Sequence, residues 1–98
     1  MILQKNLIEV LNFYQLKADY YRYICEFAIG KEFNENLEKS EEFYKKAHNT
    51  SIKDLPVNNC TRVGVALNYA IFLYEIKGDK KMAFDIAKKA FDESNTKK

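Results

Sequence analysis

Residues 2–29 decide the fold: the stretch reads ILQKNLIEVLNFYQLKADYYRYICEFAI and contains neither Gly nor Pro. Good helix formers and aromatic residues run through it without interruption, which predicts one long helix that stops at Gly30. At about 100° per residue, a narrow polar stripe faces away from an apolar side. The polar stripe comprises Gln15, Asp19, Arg22 and Glu26, and the apolar side comprises Phe13, Leu16, Tyr20, Ile24, Phe27 and Ala28.

A second helix is predicted after Gly30, with Asn34 or Asn36 as its N-cap and an end near Thr50. A loop around Pro56, the only proline, separates it from the second half of the chain.

The second half of the chain predicts two more helices. Asn58 or Asn59 supplies the N-cap of a third helix that includes the apolar run 63–76, and Gly78 ends it. Asp79 caps a fourth helix, and residues 93–98 are expected to form a frayed tail. Because the connections are short, neighbouring helices should be antiparallel. The predicted fold is therefore all-α, with four antiparallel helices arranged as two helical hairpins.

Composition bounds the size and the class of partner. The chain has 98 residues, which is room for one domain over residues 1–98. It has 16 Lys and Arg against 14 Asp and Glu, a balance too even for an electrostatic grip on nucleic acid or an anionic membrane. The N-terminal apolar run is interrupted by polar residues and fits neither a signal peptide nor a membrane span. These features predict a cytoplasmic protein.

The chain offers little chemistry of its own. Cys25, Cys60 and His48 show no zinc-binding spacing, so we expect two buried reduced thiols, no metal and no cofactor. No Ser, Cys or His has the spacing of a nucleophile with its base, which argues against an enzyme.

Two motifs resemble the 14-3-3 family. Asp19-Tyr20-Tyr21-Arg22-Tyr23, with Glu26 three positions later, is similar to the central motif of that family. The segment RVGVALNYAIFLYEI at 62–76 resembles its second conserved block, and AFDIAKKAFDE at 83–93 resembles the following helix. The resemblance extends from about Tyr14 to Glu93 and implies the fifth to eighth of the nine helices of the family.

The resemblance also implies a groove for phosphoserine or phosphothreonine peptides. It implies that Arg22 and Tyr23 bind the phosphate and that Asn68 binds the backbone of the peptide. It also implies an apolar wall of the groove and one acidic side chain. The wall residues are Leu67 and Ile71, and the acidic residue is Glu75. A guanidinium suits phosphate because its planar fork of donors meets two oxygens at once. Without the resemblance, ion pairs with Asp19 and Glu26 explain Arg22, and packing explains Tyr23 and Asn68.

Departures from the family pattern leave alternatives open. The helices that would supply a further Lys and Arg, the dimer contact and the second groove wall have no counterpart here, and Gln15 stands where a Lys is common. We therefore expect an adaptor for phosphorylated protein segments or a truncated remnant that binds weakly. A tetratricopeptide-like scaffold for unmodified partners is the alternative, although the recurrence of Lys45-Lys46-Ala47 as Lys88-Lys89-Ala90 exceeds its ~34-residue period.

The start of the first helix bears on whether the chain associates with other chains. The resemblance leaves the start of the first helix without neighbours, so a set of aliphatic side chains should be exposed there: Ile2, Leu3, Leu7, Ile8 and Leu11. Exposed apolar patches mark interaction surfaces. We therefore expect self-association or a companion chain.

Overall fold

The computed structural model describes residues 4–96, which form four helices: α1 (Gln4–Cys25), α2 (Gly30–Asp54), α3 (Cys60–Phe72) and α4 (Lys80–Thr96). A π-helical turn, Leu73–Lys77, continues α3. Helix α1 packs on α2, α2 on α3, and α3 on α4. The predicted all-α fold of two antiparallel hairpins is confirmed. None of the described helices is both long and apolar enough to cross a membrane.

The first helix ends earlier than predicted. It stops at Cys25, and a turn follows in which the backbone N–H of Glu26 donates to the Tyr23 carbonyl at 3.1 Å. Gly30, predicted as the stop signal, is instead the first residue of α2 and has a φ of +61°. Its freedom to adopt positive φ lets the chain reverse within a few residues.

The predicted N-cap of α2 is wrong. Asn34 and Asn36 lie inside the helix, and Asn36 Nδ2 donates to the Glu32 carbonyl at 2.8 Å. The N-cap is Ile29, whose side chain accepts no hydrogen bond. Helix α2 also continues beyond Thr50 to Asp54.

The signals in the second half of the chain are confirmed. Asn59 caps α3, because its Oδ1 accepts from the N–H of Thr61 at 2.8 Å and of Arg62 at 3.3 Å. Gly78 has a φ of +82° and ends the π-helical turn. Asp79 Oδ1 accepts from the N–H of Met82 at 3.1 Å in the first turn of α4. The expected frayed tail differs from the structure over residues 93–96, which continue α4.

Two apolar clusters hold the helices together. One lies toward the start of α1 and combines residues of three helices: Leu7, Leu11, Ala47, Leu55 and Val65. The other lies at its middle and is rich in aromatic residues: Ala18, Tyr44, Tyr69, Ala70, Phe72, Leu73 and Ala83. Small residues bring α1 and α2 close together, and Ser40 Oγ donates to the Ala18 carbonyl at 2.9 Å. Close packing of small residues therefore selects the side of α1 that is buried.

This packing corrects two expectations about α1. Leu7 and Leu11 are buried rather than exposed, Ile8 is half-buried, and Ile2 and Leu3 lie outside the described residues. The expected exposed aliphatic patch is therefore wrong for Leu7 and Leu11. Conversely, the apolar side read from the sequence is largely exposed, since Phe13, Leu16, Tyr20 and Phe27 are all more than half exposed.

The thiols are only partly as expected. Cys25 and Cys60 are both free, and Cys25 is buried. Cys60 is exposed at the first residue of α3. The prediction of two buried thiols is wrong for Cys60.

Candidate functional site

Arg22 is held against α2 by a small polar network. Its Nε–H donates to Tyr44 Oη at 3.1 Å, and the Tyr44 hydroxyl donates in turn to Asp19 Oδ1. Arg22 Nη2 lies 3.6 Å from the same carboxylate oxygen, one helical turn away on α1. The guanidinium is therefore fixed in direction while about a third of the side chain, 32%, stays exposed.

The network keeps Arg22 charged. Burial alone would lower the pKa of Arg22, but the neighbouring Tyr44 and Asp19 outweigh it, and the pKa is raised. Burial, reinforced by the hydrogen bond to Asp19, raises the pKa of Tyr44. The phenol therefore stays protonated and the guanidinium stays cationic at neutral pH.

Tyr23 follows Arg22 on the helix and points about 100° away from it. It is 61% exposed, and its ring meets Phe27 edge-on with centroids 5.2 Å apart. Arg22 and Tyr23 line one open cleft of about 700 Å³ along α1, together with Phe13, Leu16 and Tyr20.

The predicted site residues of α3 line a second cleft. Leu67 and Ile71 of α3 and Glu75 of the π-helical turn follow one another at four-residue spacing and line the same cleft. The cleft has a volume of about 380 Å³, and Phe84 and Ala87 of α4 form its other wall. Leu67 and Ile71 are 42% and 48% exposed, so they offer apolar surface to a ligand.

Asn68 connects α3 to α1. Its Nδ2 donates to Gln15 Oε1, and both side chains lie at the surface. Gln15 and Arg22 are two helical turns apart, so they share one face of α1 and are separated by about 10 Å along its axis. The structure thus places Arg22 and Tyr23 at one cleft, Leu67, Ile71 and Glu75 at another, and Asn68 at the contact between α1 and α3.

Sequence reasoning missed three participants. It offered Glu26 as a partner for Arg22 but not Tyr44, which lies 22 positions away in the sequence. The sequence places Gln15 in the polar stripe of the first helix and marks it as a departure from a family pattern, but it does not predict the hydrogen bond of Gln15 to Asn68. The sequence does not identify Phe84 as a site residue, because its place in the second cleft depends on how α4 packs on α3. Among residues 4–96, no group of three His, Cys, Asp or Glu could hold a metal ion.

Comparison with known proteins agrees with these motifs. The family model for the 14-3-3 protein matches residues 2–98. The chain is 37% identical over 100 residues to the checkpoint signal transducer rad25 of Schizosaccharomyces pombe, covering 95% of this chain and 37% of that protein. It is 44% identical over 91 residues to a 14-3-3 protein homolog of Encephalitozoon cuniculi, covering 93% of this chain and 35% of that protein.

A third relative has similar identity and coverage. The 14-3-3 protein of Eimeria tenella is 42% identical over 84 residues, which cover 86% of this chain and 30% of that protein. The chain therefore spans about a third of the length of the curated relatives it matches. Since the family model matches almost every residue, this chain belongs to the 14-3-3 family.

Proposed function

We propose that this chain binds phosphoserine or phosphothreonine segments of partner proteins, as an adaptor rather than an enzyme and in the cytoplasm. Arg22 and Tyr23 would hold the phosphate, and Asn68 would hold the peptide backbone. Leu67 and Ile71 would contact apolar side chains of the segment, and Glu75 would favour a basic one. The observation that carries the proposal is the fixed, charged and partly exposed guanidinium of Arg22.

The spacing between the polar groups fits an extended peptide. Arg22 and Gln15 are about 10 Å apart along α1, and the Gln15 side chain is hydrogen-bonded to Asn68. Three residues of an extended chain span a similar distance at about 3.3 Å each. A segment with its phosphate on Arg22 could therefore place a backbone amide near Asn68, provided that it displaces Gln15 from the Asn68 amide.

We expect the affinity to be low. Asp19 already neutralises much of the Arg22 charge, at 3.6 Å. Lys17 is the other cation at this cleft, but its ammonium lies over the rings of Phe13 and Phe43, 5.3 and 5.4 Å from their centroids. A phosphate carries a charge of about −1.5 to −2 at neutral pH, so a single neutralised arginine satisfies it poorly.

The test compares one peptide with and without its phosphate. Fluorescence anisotropy of a labelled peptide should show tighter binding of the phosphorylated form to the purified chain. Arg22→Ala should abolish that difference, at a cost of about 1.5–3 kcal/mol for a charge-assisted hydrogen bond. Lys46→Ala is the matched control, because it removes an exposed cation that does not line this cleft and that contacts Glu42 at 3.1 Å and the Phe43 ring at 5.1 Å from its centroid.

Two outcomes would contradict the proposal. If Arg22→Ala kept its helical circular dichroism spectrum and the phosphate still improved binding, Arg22 would not be the phosphate ligand. If the unmodified peptide bound as tightly as the phosphorylated one, the scaffold for unmodified partners would be the better interpretation.

A further inference from the structure

A small cavity lies where α2, α3 and α4 meet. It has a volume of about 50 Å³, and apolar side chains such as Val63 and Ile86 form most of its wall. Four ionisable side chains also line it: His48 of α2, Arg62 of α3, and Lys89 and Glu93 of α4. We call it the junction cavity. The face of α4 that lines it differs from the face that carries Phe84 and Ala87 in the second cleft.

The charges of the junction cavity are unbalanced even before His48 takes up a proton. The Arg62 side chain is 14% exposed, and its Nη2 lies 3.2 Å from Glu93 Oε1. Lys89 lies about one helical turn before Glu93 on the same helix. Among the described residues that line the cavity, Glu93 is the only acid, and it pairs with Arg62. The cavity therefore has two cations for one carboxylate, and the pair of Arg62 and Glu93 attaches α4 to the first turn of α3.

His48 is the only histidine of the chain, and it is half-buried at this cavity. Its ring packs against the ring of Tyr69 in α3, with centroids 5.5 Å apart. Burial lowers the pKa of His48, and the positive charges of Arg62 and Lys89 lower it further, while Glu93 opposes them only in part. Burial raises the pKa of Tyr69 to about 12, so its phenol stays neutral. The imidazole is therefore neutral at neutral pH.

We propose that His48 makes the attachment of α4 sensitive to acid. Protonation of its imidazole places a third cation beside Arg62 and Lys89, and the protonated ring competes with Arg62 for the carboxylate of Glu93. Movement of α4 relieves this repulsion, because α4 packs mainly on α3 and the π-helical turn and is the last of the described helices. This effect on α4 is independent of the proposed phosphopeptide binding.

The direction of the pH effect follows from the proton balance. In the unfolded chain His48 takes up a proton near the ordinary histidine pKa of about 6.5. The folded chain takes it up at a lower pH, because burial and the two cations lower the pKa of His48. The attachment of α4 is therefore strongest above about pH 6.5 and weakens as the pH falls from there through the folded-state pKa. Since Phe84 of α4 lines the second cleft, that cleft loses one wall when α4 moves.

Hydrogen exchange of the purified 98-residue chain tests the proposal, because it measures the opening of each helix separately. The protection factors of α4 amides should fall at least about threefold between about pH 7.5 and about pH 5.5, and those of α1 should fall less. His48→Phe keeps a ring beside Tyr69 but accepts no proton, so its α4 should be equally protected at both pH values. An α4 that keeps its protection in the wild type, or equal losses in the wild type and His48→Phe, would overturn the proposal. Equal losses in α1 and α4 would also overturn it, because they would reflect unfolding of the whole chain.

Two neighbouring lysines of α4 provide a matched control. Lys89 lines the junction cavity, whereas Lys88 does not line it and contacts Asp92 at 2.7 Å. Lys89→Gln should raise the pKa of His48 and reduce the loss of α4 protection, because it removes one of the two cations. Lys88→Gln should leave both close to their wild-type values. Proton NMR of the single imidazole measures the pKa of His48 in each variant. Equal effects of the two variants would contradict the role of the charges in the junction cavity.

Discussion

Two stacked tyrosines in the core differ in how their hydroxyls are satisfied. The rings of Tyr44 and Tyr69 lie 6.3 Å apart between centroids and are nearly parallel, at 13°. Tyr44 Oη donates to Asp19 and accepts from Arg22. Tyr69 Oη is buried without a hydrogen-bond partner among the described residues, and burial raises the pKa of Tyr69 to about 12. An unsatisfied buried hydroxyl lowers stability, whereas a satisfied one supports it.

The same substitution at these two positions should therefore have opposite effects. Tyr69→Phe removes the unsatisfied hydroxyl and should raise the free energy of unfolding by about 1 kcal/mol. Tyr44→Phe takes a hydrogen bond from each of Arg22 and Asp19 and should lower it by about 1–2 kcal/mol, since both groups remain partly solvated. Urea denaturation followed by circular dichroism measures both changes. Two changes of the same sign would show that the hydroxyls do not account for the difference.

The junction between α2 and α3 is the clearest case of one element fixing another. Arg62, in the first turn of α3, donates through Nη1 to the carbonyls of Leu55 at 2.8 Å and Ile52 at 3.2 Å, at the end of α2. Its Nη2 pairs with Glu93 of α4 at 3.2 Å. The first turn of α3 thus satisfies carbonyls that the end of α2 leaves unpaired and also binds α4. The correct start of α3 therefore positions three helices.

The N-cap at this junction gives a prediction with a built-in control. Asn59→Ala should lower the free energy of unfolding by about 1 kcal/mol, because the N–H groups of Thr61 and Arg62 lose their acceptor. Asn58→Ala changes an exposed neighbour that does not cap the helix and should leave stability within about 0.5 kcal/mol. Thermal melts of the two variants provide the comparison, and equal melting temperatures would contradict the assignment of the cap.

The elements that the sequence predicted well are those governed by nearby residues. The cap of α3 by Asn59, the left-handed Gly78 and the cap of α4 by Asp79 each depend on contacts within a few positions. The cap of α2 was missed because Gly30 begins the helix with positive φ and Ile29 contributes no side-chain bond. An asparagine is a strong N-cap signal only where the chain turns, and Asn34 lies beyond that point.

Long-range contacts explain the rest of the differences. Helix α1 carries two apolar faces, one with Leu7 and Leu11 and one with Phe13, Leu16 and Tyr20. Periodicity identifies both faces but cannot tell which one meets α2, because that choice depends on small residues of α2, such as Ala47. The partner of Arg22 is likewise distant in sequence, at Tyr44. The positions of the candidate site residues on α1 and α3 followed from the sequence, while their partners did not.

At the scale of the whole molecule, the chain is a thin slab rather than a bundle around one centre. Its principal extents are 45 × 29 × 14 Å, so the shortest dimension is little more than one helix diameter. Phe13, Leu16 and Tyr20 of α1 are more than half exposed, and stability depends on the few side chains that reach between helices.

Two leucines on α1 test this architecture directly. Leu11 is fully buried beside Leu7, Ala47, Leu55 and Val65, whereas Leu16 is 71% exposed on the same helix. Leu11→Ala leaves a cavity in a thin core and should lower the free energy of unfolding by about 2–5 kcal/mol. Leu16→Ala should change the free energy of unfolding by no more than about 0.5 kcal/mol, because the side chain is largely exposed. Urea denaturation followed by circular dichroism measures both changes. If Leu16→Ala proved the more destabilising variant, α1 would pack through the opposite face from the one described.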